Sequence, residues 1–95
     1  MTTFQLLIDP SVIDDLQKAI DYYESKKSGL GKLFMEAIEL AFDSLSKFPF
    51  YQIRYDTVRC YPLTNYPYMI HFIVNENEKT IEIRAVIHMK SNFQK

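Results

Sequence analysis

The hydrophobic period of this chain changes near Pro49, and that change limits the fold more than any other feature. Before it, apolar residues recur at spacings of three and four, the period of a helix packed on one side. After it come three β-type runs, at 58–63, 68–74 and 79–88, separated by short polar breaks. Helices followed by strands point to an α+β domain, in which a helix pair packs on one face of a small antiparallel sheet. The other face is left uncovered. Polar residues pointing into it are the first place to look for function.

Local signals fix the element order. Phe4-Gln5-Leu6-Leu7-Ile8 is short and apolar, and Asp9-Pro10 bounds it, so a first strand is expected. Asp9 suits a helix N-cap and Pro10 the first helical position. Ile13, Leu16, Ile20 and Tyr23 then form a stripe, widened by Val12, Ala19 and Tyr22, opposite Asp14, Asp15, Gln17, Lys18, Asp21 and Glu24. Lys26-Lys27-Ser28-Gly29 ends this helix, with lysines at its negative pole and a glycine for a left-handed cap. A second stripe of Leu30, Leu33, Phe34, Ala37, Ile38, Ala41, Leu45 and Phe48 stops at Pro49. The short connection makes an αα-hairpin. Residues 53–55 are a candidate extra strand, with Asp56-Thr57 as a turn. Asn75-Glu76-Asn77-Glu78 is a tight polar turn that pairs the last two strands antiparallel. The order is therefore β-α-α-β-β-β in one domain spanning 1–95.

Composition narrows the functional classes. At 47% hydrophobic, with seven Phe and seven Tyr in 95 residues, the chain is globular rather than disordered. No run approaches the roughly 20 apolar residues of a membrane span. Met1-Thr2-Thr3-Phe4-Gln5 lacks the layout of a signal peptide, so a cytoplasmic protein with no membrane partner is expected. The single Cys60 has no internal disulfide partner and reads as a small core residue. A net charge of −1 argues against tight general binding to nucleic acid. The charge is unevenly spread: residues 1–50 carry a balance of −3 and residues 51–95 a balance of +2, with all three arginines in the second half. Arginine suits phosphate and carboxylate recognition.

Strand parity sorts the candidate residues. In 68–74, Tyr68, Ile70, Phe72 and Val74 share one face and Met69, His71 and Ile73 the other. In 79–88, Ile81, Ile83, Ala85 and Ile87 should meet the helices, with Glu82, Arg84, Val86 and His88 pointing away. His71, Arg84 and His88 are thus expected on the helix-free face, and Arg59 with them. Two histidines and two arginines there could serve as proton shuttle and phosphate clamp, or as a solvated, salt-bridged surface. Met69, Ile73 and Val86 would give that face an apolar patch of the kind that marks a partner site. The two histidines lie on different strands, without clustered cysteines or an HExxH pair, so no metal site and no cofactor are expected. Gly29-Leu30-Gly31 lies between helices, lacks a GK[ST] ending and reads as a linker.

The ordered set Asp15-Leu16…Ile20-Asp21-Tyr22-Tyr23, Gly29-Leu30-Gly31…Phe34, Phe48-Pro49, Arg59…Leu63, Tyr66-Pro67-Tyr68…Ile70 and Ile83…Ala85-Val86…His88 resembles the RelE/ParE toxin family over nearly the whole chain. These are toxins of bacterial type II toxin–antitoxin modules, often called plasmid-stabilisation proteins. The resemblance implies a toxin held inactive by a cognate antitoxin whose C-terminal segment wraps its helices and sheet, as a hetero-oligomer or with a homodimeric toxin. It implies one of two targets. ParE-like members inhibit DNA gyrase, whereas RelE-like members cleave mRNA on the ribosome. In the second case His88 or His71 would act as acid/base, with Arg59, Arg84 and Lys90 clamping phosphate and Phe93 as the tail aromatic. Met69 stands where the nuclease branch places an arginine, and the helical hairpin with its Tyr22-Tyr23 pair resembles the ParE branch. Met69, Ile73, Val86, Tyr22 and Tyr23 are then the expected antitoxin- or target-binding residues.

Overall fold

The computed structural model describes residues 3–90. The chain runs β1 (Gln5–Ile8), α1 (Pro10–Lys26), α2 (Leu30–Lys47), β2 (Ile53–Tyr55), β3 (Val58–Pro62), β4 (Tyr68–Asn75) and β5 (Thr80–His88). Asp9 caps α1 as expected: its backbone is extended and its carboxylate accepts from the Ser11 amide at 3.1 Å. The candidate strand at 53–55 is present, so five strands form rather than four.

The hairpin between the helices depends on one carboxylate. Gly29 takes φ +96, a conformation that side chains other than glycine's adopt with strain. Glu24 then reaches from the last turns of α1 to accept from the amides of Gly29 at 3.1 Å and Gly31 at 3.0 Å. These are among the first amides of α2, which have no partner within the helix. The same bonds hold the Glu24 carboxyl below its ordinary pKa.

The strand order is β1-β5-β4-β3-β2. Strands β2 to β5 pair antiparallel as expected, while β1 joins the far edge parallel to β5. This makes the sheet mixed, because the helical hairpin carries the chain back across the sheet before β2 begins. Val12 and Leu16 of α1 and Phe34, Ile38 and Leu45 of α2 pack on Ile70, Phe72, Ile81 and Ile83. The stripes are rotated from the expected ones. Ile13, Leu33 and Phe48 lie exposed, and Val12, Leu16 and Ala19 form the buried line of α1.

One irregularity matters most. Along β4 and β5 the pairs run Ile70 with Val86 and His71 with Ala85, then Phe72 with Ile83, so Arg84 is an extra residue. Such a bulge reverses the facing of everything beyond it. Ile81 and Ile83 meet the helices, but so do Val86 and His88, while Ala85 and Ile87 turn to the free face. Val86 is accordingly 5% exposed and belongs to the core, against the expected free-face position. No helix among the described residues is long and apolar enough to cross a membrane.

Candidate functional site

On the helix-free side, the middle strands build a cleft of about 480 Å³ lined by Arg54, Tyr55, Cys60, Met69, His71, Ile87, His88 and Met89. Cys60 on β3 pairs with His71 on β4, and His71 with Ala85 on β5, which stacks these positions across one face. The short β2 edge covers them. Its pairing with β3 is irregular between Ile53 and Tyr55, so both Arg54 and Tyr55 reach the cleft. The left-handed Asp56, at φ +48, makes the turn that brings Tyr55 back over the sheet.

His71 is the centre of this arrangement. It is 2% exposed, with Tyr55 Oη 3.1 Å and Cys60 Sγ 3.5 Å from its Nδ1. Burial lowers its pKa, and the Arg54 charge adds to that lowering. Burial raises the Cys60 thiol, partly opposed by Arg54, and it raises the Tyr55 phenol. The imidazole that a nuclease would use on an open face is instead buried beneath an aromatic edge, with its proton affinity lowered.

Of the other charged and titratable candidates, only His88 reaches the same cleft, at its edge. Arg59 pairs with Phe72 and so lies on the helix-covered face, contrary to expectation. Its guanidinium donates to the Tyr51 carbonyl at 2.8 Å and sits over the Phe50 ring. Arg84 is on the bulge, half exposed, 3.7 Å from Glu82. His88 pairs with Tyr68 and turns towards the helix side, its ring 5.0 Å from that of Tyr68. There it borders a second cleft of about 410 Å³ with Asp15, Lys18, Ala19, Tyr22, Tyr68 and Val86. His88 Nδ1 accepts from the backbone amide of Lys90 at 3.0 Å. Phe93 lies outside the described residues.

Of the expected contact residues, Met69 lines the free-face cleft and Ile73 lies half-buried opposite Glu82. Tyr22 is exposed, with Lys26 over its ring. Tyr23 is an internal residue, stacked on Phe34 at 5.2 Å and edge-on to Tyr66. The sequence reading missed Arg54 and Tyr55. The adjacent cation and aromatic before the Asp56-Thr57 turn were visible, but alternation sends neighbours to opposite faces, and only the irregular β2–β3 pairing sends both to one.

Among the described residues, no three His, Cys, Asp or Glu side chains come together in a way that could hold a metal ion. The chemistry of the cleft is that of a mainly apolar recess with one cation, Arg54, and a capped imidazole.

Comparison with known proteins accords with this architecture. No curated protein matches the chain. A solved structure described as a chromosomal ParDE TA system from P. aeruginosa superimposes with a TM-score of 0.80, covering 93% of this chain and 98% of that one, at 17% identity. At that identity the likeness is one of fold. The model of the ParE toxin of type II toxin–antitoxin systems (parDE) matches residues 6–93, so the chain belongs to the ParE toxin family.

Proposed function

We propose that this ParE-family toxin arrests growth by binding a protein target, with DNA gyrase the candidate, and that a cognate antitoxin neutralises it. The observation that carries the reading is the scatter of the groups RNA cleavage would need. His71 is buried with its pKa lowered, Arg59 lies on the opposite face bonded to a carbonyl, Arg84 faces Glu82, and His88 stands at the rim of the His71 cleft, paired with Tyr68 on the helix side. General acid–base cleavage needs such groups within hydrogen-bond reach of one phosphate, with a pKa near the working pH. The half-buried Met69 and Ile73 on the free face and the exposed Tyr22 on α1 are the contact residues this reading uses.

The test pairs two assays on the purified toxin. In a supercoiling assay, gyrase is expected to lose activity in its presence and recover it when the antitoxin is added. In a ribosome-dependent primer-extension assay, mRNA is expected to stay intact. Codon-dependent cuts that vanish in Arg84→Ala or His88→Ala variants would instead establish the RelE-like nuclease.

A further inference from the structure

The free-face cleft joins an apolar wall to one permanent charge. Met69 on β4 pairs with Ile87 on β5 and both line the recess, so two large apolar side chains stand together there, and Met89 continues the wall. The β2 edge supplies the polar end, where Arg54 and Tyr55 border the same space. None of the lining residues is Asp or Glu. Among the described residues the ion pairs join Lys47 to Asp43 and Arg84 to Glu82, and Arg54 belongs to neither. Arg54 is exposed, which leaves its donors open to a ligand. Its charge still reaches the floor of the cleft: after burial, it is the next influence on both Cys60 and His71, drawing the pKa of each downward.

Size and charge together select the ligand. A volume of about 480 Å³ falls within the range of small-molecule pockets, roughly 300–1,000 Å³, which are mainly apolar with a few converging polar groups. A lone guanidinium in a lining without acids attracts an anion. Its planar fork pairs two donors at a time with carboxylate or phosphate oxygens. A phosphate monoester brings roughly two negative charges at neutral pH, more than Arg54 alone offsets, whereas a carboxylate brings one. The wall of Met69, Ile87 and Met89 calls for an apolar body, since covering it removes apolar surface from water on both partners. A second carboxylate laid against that wall would lose its hydration without a partner.

We propose that the cleft is a binding site for a small monocarboxylate with an apolar body, its carboxylate paired with Arg54 and its body laid along Met69 and Ile87. The site stands independently of the gyrase reading.

The probe is phenylbutyrate, titrated into the full chain at neutral pH and followed by calorimetry and by amide NMR spectra. One molecule per chain should bind with a Kd of about 1 mM or tighter, as its number of heavy atoms allows. Uncharged phenylbutanol should bind at least about tenfold more weakly, the worth of a hydrogen-bonded charge, and Arg54→Gln should weaken phenylbutyrate by as much. Inorganic phosphate should not displace the probe. Amide shifts should gather at Arg54, Cys60, His71 and Ile87. Circular dichroism checks that the variant is folded; if it is not, the comparison of acid with alcohol on the wild type decides. Absence of saturable binding, equal binding of the alcohol, undiminished binding by folded Arg54→Gln, displacement by phosphate, or shifts confined to α2 would each overturn the proposal.

Discussion

His71 shows how one residue couples burial to pH. Its pKa is lowered in the folded chain, chiefly by desolvation and then by Arg54, so the unfolded chain binds its proton first. Stability from this group is complete above the ordinary histidine value of 6.5 and falls as pH drops from there through the lowered folded value. The slope of unfolding free energy from this proton is at most about 1.4 kcal/mol per pH unit. Urea titrations from pH 7.5 to 5 should show it, and His71→Asn should flatten it even if the variant is less stable throughout. An unchanged slope would assign the acid sensitivity to other groups. Cys60 makes a companion case: with the thiol buried and raised, iodoacetamide should leave it unmodified at neutral pH in the native protein and alkylate it rapidly in urea.

At the scale of elements, the helical hairpin is held at a point contact that sequence periodicity does not describe. A Cβ on Gly31 would lie 3.0 Å from Glu24 Oε1, from Ile20 Cγ2 and from the Ile20 carbonyl oxygen. Alanine gains up to about 1 kcal/mol of helix propensity over glycine, but overpacking against backbone costs about 1–3 kcal/mol. Gly31→Ala is therefore expected to be destabilising in chemical denaturation; a rise in midpoint would show that the helices can part without penalty. Phe34 is the other half of the contact between hairpin and sheet. It is fully buried and rings with Tyr23, Tyr66 and Tyr68 surround it at 5.2–5.3 Å. Phe34→Ala should cost about 3–5 kcal/mol, read from the same denaturation curves.

For the molecule as a whole, the packed sheet face and the exposed helix surface divide the labour. Leu33 and Leu40 are exposed along α2, beside a groove that also includes Ala37, Tyr61 and Tyr66. Apolar surface of this kind marks a partner site more often than it serves stability. Leu40 is 70% exposed, so Leu40→Ser should alter unfolding by no more than about 0.5 kcal/mol. If the antitoxin covers this groove, calorimetry should find weaker binding for the same variant, and an unchanged affinity would remove α2 from the interface.

Much of this architecture was legible in residue pattern. Asp9-Pro10, the Gly29 break, Pro49 and the shift from a period near 3.6 to 2 set the order and type of the elements, with the strand at 53–55 only a candidate, because capping and alternation are local physics. They also indicated the family, since its features follow that same order. The candidate site was far less legible. Parity assigned Val86 and His88 to the free face, but a single extra residue at Arg84 turned both towards the helices. Parity also grouped Arg59 with His71, whereas the β3–β4 register sets Arg59 opposite Phe72. Arg54 and Tyr55 entered the cleft only through irregular pairing at the β2 edge. Register and bulges are settled by which strands meet and how their cores interlock, which is non-local. The sequence by itself determined the order and type of the elements and the family; only the tertiary structure decided which side chains share a face, and so gathered Arg54, Tyr55 and Cys60 around a buried histidine where an open docking face was expected.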